Sequence, residues 1–129
     1  MKKLLHSLSN ILGTGRKNPN IEKQMRAFAY NRYPNNQQAQ DYIFSEEMNA
    51  YRQMKMVSDI EVKTIAAGKY PHDFAMQQYV YNNQLEAKRY MNELKDSPAK
   101  QEAIRRYPHD YSTQKFIYGQ LAKVTKRSA

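Results

Sequence analysis

The apolar residues of this chain fall at helical spacing almost throughout. Met76, Tyr79, Val80, Ala87, Tyr90, Met91 and Leu94 recur at steps of three and four, and only Asn83 breaks the stripe. A period near 3.6 predicts an α-helix, whereas a strand would alternate with a period of two. This run reaches to about Lys95, roughly six turns. Shorter apolar groups predict short helices: Ile21, Met25, Phe28 and Ala29; Ile60, Val62, Ile65 and Ala66; Ala99, Ala103 and Ile104. Start and stop signals fall between them. Pro71 disfavours helix at Tyr70 and so ends the element before it. Asn36, Asp73 and Asp110 each stand where a side chain can accept the first free N–H groups of a long helix. Ser97-Pro98 opens a short helix with a cap and a first-position proline, Ser58 or Asp59 caps another, and Asn18-Pro19 opens the earliest.

Comparing the chain with itself turns these elements into a pattern. Tyr33-Pro34-Asn35-Asn36, Tyr70-Pro71-His72-Asp73 and Tyr107-Pro108-His109-Asp110 begin three matching segments spaced 37 residues apart. Gln40, Gln77 and Gln114 align downstream, as do Tyr42, Tyr79 and Phe116. Ala29, Ala66 and Ala103 align upstream, and a base (Arg32, Lys69, Arg106) precedes each Tyr-Pro. The expected fold is therefore all-α, a three-copy, 37-residue helical-hairpin repeat of about seven helices. It is built either as a short solenoid or as a compact bundle. The hairpin domain spans 19–124 and a basic tail follows at 125–129. The last long helix is expected from about Asp110 to Val124.

Residues 1–18 form the expected seventh helix and its linker. Leu4, Leu5, Leu8, Ile11 and Leu12 make one helical stripe, Gly13 is a natural C-cap, and Gly15-Arg16-Lys17 continues as linker. The first expectation is a cap over the apolar edge of the hairpins. A short basic anchor for a membrane surface or a partner groove is the weaker alternative. Met1-Lys2-Lys3-Leu4-Leu5 starts like a secretion signal, but His6, Ser7, Ser9 and Asn10 interrupt it and no cleavage site follows. No apolar run approaches the ~18 residues of a membrane span. With no cysteine in the chain, a cytoplasmic location is expected.

Paired helices joined by Pro-Asn-Asn or Pro-His-Asp resemble the tetratricopeptide and related α-hairpin repeats, over residues 19–124. The resemblance implies an architecture and a scaffold role for binding, and no particular binding residues.

Composition and charge then narrow the function. The chain has 129 residues, 11 Tyr, 7 Met and a net charge of +9, which brings in nucleic acid, a membrane surface or an acidic protein as partners. The excess is not uniform. Residues 1–33 carry seven bases and one acid, and 108–129 carry four bases and one acid, while the stretch between is close to neutral. Glu22, Asp59 and Asp96 are expected to pair with Arg26, Lys63 and Lys100 four residues on. Lacking cysteine, the chain has no disulfide and no thiolate site. His72-Asp73 and His109-Asp110 could suggest a metal, but each Asp is explained as a cap, so neither a metal nor another cofactor is expected. No Ser stands in a nucleophile elbow and no Gly-Lys-Ser/Thr loop is present, so an enzyme is not expected.

The expected role is a protein-binding or adaptor module that recognises an acidic partner through a Tyr/Met-rich face. Its contact residues would be Arg32, Tyr33, Lys69, Tyr70, Arg106 and Tyr107. Lys2, Lys3, Arg16, Lys17, Lys123, Lys126 and Arg127 would make the basic terminal contacts. The alternative is a nucleic-acid-binding protein that uses the basic termini and the Arg/Lys-Tyr-Pro ladder, with the tyrosines stacking on bases and their neighbours on phosphates. The oligomeric state is left open.

Overall fold

The computed structural model describes residues 19–128. Six α-helices follow one another: α1 (Pro19–Arg32), α2 (Gln37–Lys55), α3 (Ile60–Lys69), α4 (Phe74–Glu93), α5 (Pro98–Arg106) and α6 (Tyr111–Ser128). Among the described residues there is no strand. The expected helix over Leu4–Leu12 lies outside them. The order alternates short and long helices as the apolar spacing predicts, although α6 runs on to Ser128, past Val124.

The helix boundaries are set by the capping residues. Asn36 accepts from Ala39 N–H at 3.0 Å, Asp59 from Val62 N–H at 3.0 Å, Asp73 from Met76 N–H at 3.1 Å and Ser97 from Lys100 N–H at 3.1 Å. Asp110 accepts from Thr113 N–H at 3.1 Å. Each cap satisfies an N–H that has no partner within its own helix, worth about 1 kcal/mol.

By its contacts the chain divides into two compact units, Met1–Met56 and Val57–Ala129. In the first unit α1 packs on α2. Ile21, Met25 and Ala29 turn inward at steps of four, and the Arg26 guanidinium lies 4.0 Å above the Phe44 ring. In the second unit α3 packs on α4, and both α4 and α5 pack on α6.

The buried face of α4 is rotated from the predicted one. Val80, Ala87 and Met91 are buried as expected, but Tyr79 and Tyr90 are exposed, and Gln77, Tyr81 and Gln84 are buried beside them. The physical reason is that each of these polar groups finds a partner. Gln77 donates to the Tyr70 carbonyl at 2.6 Å, Gln84 reaches Asp110, and the Tyr81 hydroxyl accepts from Asp59 N–H at 3.2 Å. Among the described residues no buried side-chain nitrogen or oxygen lacks a partner.

The expected acid–base pairs within the short helices do not form. Arg26 lies on Phe44, and Lys100 donates to the Leu94 carbonyl at 2.9 Å. Asp59 instead pairs with Lys88 on the neighbouring long helix at 2.9 Å, and Asp96 accepts from Gln101. The pair that does form one turn apart is Glu102–Arg106 at 2.9 Å.

Candidate interaction surface

Three joints link a short helix to the next long one, and they share one set of hydrogen bonds. The tyrosine N–H donates back to the alanine carbonyl four residues earlier at 3.1 Å, from Tyr33 to Ala29, Tyr70 to Ala66 and Tyr107 to Ala103. The tyrosine carbonyl then accepts from the capping residue's N–H, at 3.3 Å from Asn36, 3.4 Å from Asp73 and 3.3 Å from Asp110. It also accepts from a glutamine side chain seven residues on: Gln40 at 2.7 Å, Gln77 at 2.6 Å and Gln114 at 2.6 Å. The three alanines are buried, on short helices that each pack on the long helix that follows. Pro34, Pro71 and Pro108 sit in the turn, where a missing N–H costs nothing.

These bonds use the backbone of Tyr33, Tyr70 and Tyr107 and leave the rings at the surface, 46, 37 and 41 % exposed. The bases beside them are not equally available. Arg32 is exposed, with its guanidinium 5.0 Å above the Phe28 ring. Lys69 is exposed, and its charge helps hold the Asp110 carboxyl low. Burial pushes Asp110 up, but hydrogen bonds from Gln84 and Thr113 outweigh it. Arg106 is engaged by Glu102, which also holds Arg105. Those two guanidiniums, Arg105 first, lower the Glu102 carboxyl to about 2. Within the second unit, then, Lys69 is exposed and Arg106 is committed to its own helix. Lys123 is exposed on α6. Lys2, Lys3, Arg16 and Lys17, and the side chains of Lys126 and Arg127, lie outside the described residues.

A second set of aromatics stands further out. Tyr42, Tyr79 and Phe116 each lie six residues after a helix cap, and they are 65, 61 and 64 % exposed. The joint's glutamine, buried at Gln77 and Gln114 and half-buried at Gln40, lies two residues earlier, about 200° around the helix, which explains the exposure. Sequence comparison aligned these three positions, but it placed Tyr79 in the buried stripe. The signal that separates them is the glutamine, since a polar residue recurring at one position beside an apolar stripe can itself be core.

Sequence reading also missed a polar cluster in the second unit. The Lys88 ammonium lies 2.9 Å from Asp59 and 2.9 Å from Glu61. The Tyr111 hydroxyl donates to Glu61 at 2.7 Å. Hydrogen bonding to Lys88 lowers both carboxyls, and the same contacts, Asp59 first, raise Lys88. The cluster ties the starts of α3 and α6 to the middle of α4. It reads as a structural clamp, because every one of its charged groups is paired within it. Among the described residues no group of three or more His, Asp or Glu could hold a metal ion. No described helix is long and apolar enough to cross a membrane.

No protein-family model matches this chain, and no curated protein or solved structure matches it significantly.

Proposed function

We propose that the chain is a small helical-repeat binding module, in which the three hairpins are copies of one 37-residue unit related in architecture to tetratricopeptide-type repeats. It recognises a protein partner of acidic character, steered by the basic ends. The observation that carries this reading is the recurrence of Tyr42, Tyr79 and Phe116 at one position, each more than 60 % exposed. Large rings held in water on rigid helices are a binding resource, because aromatic side chains bury much area at little entropic cost. Met25, Met48, Met54 and Met91 are buried and Met56 is exposed, so within each unit the large exposed side chains are mostly aromatic. The exposed tyrosines of the joints add contact area in each unit, with Arg32 next to Tyr33 in the first and Lys69 next to Tyr70 in the second.

The test is the full chain carrying Tyr42→Ser, Tyr79→Ser and Phe116→Ser together. Helical circular dichroism should stay unchanged, and retention of the native partner in quantitative pull-down should fall at least about tenfold, as expected when anchor residues are lost. Unchanged retention would remove the aromatic face from the reading. A salt titration separates the nucleic-acid alternative. Binding of single-stranded RNA or DNA that is tight and falls steeply between low and physiological salt would favour it over a protein partner.

A further inference from the structure

The third hairpin shows how a joint is covered. There α4 lies along α6. The Gln84 side chain donates to Asp110 at 2.8 Å and accepts from Tyr111 N–H at 2.8 Å. The Lys115 ammonium lies 3.4 Å from Glu86 and 4.8 Å above the Tyr90 ring. Tyr90 and Tyr118 meet edge to face at 6.4 Å between centroids. In this joint Gln114 is 1 % exposed.

The first hairpin has the same joint with an open outer side. Asn36 is exposed there and Gln40 is only half-buried. An open depression of about 360 Å³ lies against it, lined among others by Arg26, Tyr30, Gln37, Gln40, Asp41 and Phe44. Moving back by two 37-residue periods carries Tyr111, Lys115 and Tyr118 onto Gln37, Asp41 and Phe44, three of the residues that line it. The depression therefore stands where α4 stands on the third hairpin. The same shift carries the span of α4 onto the residues just before α1, and it carries Gln84 onto Asn10, one amide onto another.

We propose that the segment Leu4–Leu12 occupies this depression. It would set its leucine and isoleucine stripe against Phe44 and the 56 % exposed Tyr30, and bring the Asn10 amide to the start of α2 at Asn36 and Gln37. The occupant is intramolecular because the 18 residues end directly at Pro19, where α1 begins, and because they carry five apolar side chains at helical spacing. An apolar stripe of this kind needs a cover, and the end of a hairpin stack needs a cap. The inference rests on the reading of the hairpins as copies, but it does not depend on the partner.

The chain has no cysteine and no tryptophan, so reporters can be placed singly. Asn10→Cys with Gln37→Cys in the full chain should close an intrachain disulfide under mild oxidation and run as a monomer on a non-reducing gel. Failure to form it, or a covalent dimer that marks a second copy's segment in the depression, would overturn the proposal. Leu8→Asp with Ile11→Asp provides a second readout. Hydrogen exchange at the amides of residues 37–41 should speed up roughly tenfold, while that at 111–115 stays as it was. Equal exchange in both chains would likewise overturn it. Both readouts use the isolated chain. A closed disulfide with no partner binding would overturn the proposed function alone, and an open one with partner binding would overturn the cap alone.

Discussion

A single glutamine decides the geometry of each joint. Its amide supplies the second donor to a tyrosine carbonyl that already accepts from the backbone, and in two joints it does so while buried, with Gln77 4 % and Gln114 1 % exposed. Removing a buried partner leaves the other group without water, which costs about 1–3 kcal/mol. Gln114→Ala should lower stability by that amount in urea denaturation. Gln40→Ala should cost less than about 1 kcal/mol, because this joint is exposed and water can reach the Tyr33 carbonyl once the half-buried Gln40 side chain is gone. Gly119 offers the opposite case. A Cβ added there meets no atom within 4 Å, so Gly119→Ala should stabilise α6 by about 0.5–1 kcal/mol, read as a rise in melting temperature. At this scale the caps were legible, since Asn36, Asp73, Ser97 and Asp110 are residue types with one dominant use before an apolar run. The buried glutamines were not legible, because glutamine usually faces water and only its partner makes burial cheap.

The helices themselves followed from spacing, but their pairing did not. Local rules favour Asp59 with Lys63 one turn on, yet the structure gives Asp59 to Lys88, which also takes Glu61. A contact between helices wins because Lys88 satisfies two carboxylates at once, in a setting where its side chain is only 24 % exposed. The sign of its pH dependence follows from the shifts. Asp59 and Glu61 are lowered, so their contribution is complete above about pH 4–5 and is lost as pH falls through the lowered values. Lys88 is raised, so its share is complete at neutral pH and is lost only in strong alkali. Lys88→Met should therefore remove about 1 kcal/mol at neutral pH. It should also flatten the acid limb of the stability curve between about pH 5 and 2, measured as urea midpoints. An acid limb identical to that of the parent chain would show that the cluster contributes nothing.

For the whole molecule, the spacing of Tyr33, Tyr70 and Tyr107 anticipated alternating short and long helices, and the structure has them. It did not anticipate the division into two compact units at Met56 and Val57. No glycine or proline marks that place, and the division comes from where contacts run, which a linear pattern does not record. Residues 57–129 alone should fold, with a helical spectrum and a cooperative melt, because α3 to α6 supply one another's buried faces and caps. A non-cooperative melt of that piece would show that its stability is borrowed. The net charge of +9 also takes on a location at this scale. The described hairpins tie up several of their bases, Lys88 and Arg106 among them, so the surplus falls to the ends. The joint has one more consequence. The hydrogen bonds that the three joints share close between the alanine at the end of a short helix and the glutamine in the first turns of the next, as from Ala66 to Gln77. None of these shared bonds reaches outside that stretch, so a copied stretch carries them with it. An in-frame duplication of one unit would lengthen the protein with these shared bonds intact, and the number of hairpins is thus a quantity that inheritance can change in single steps.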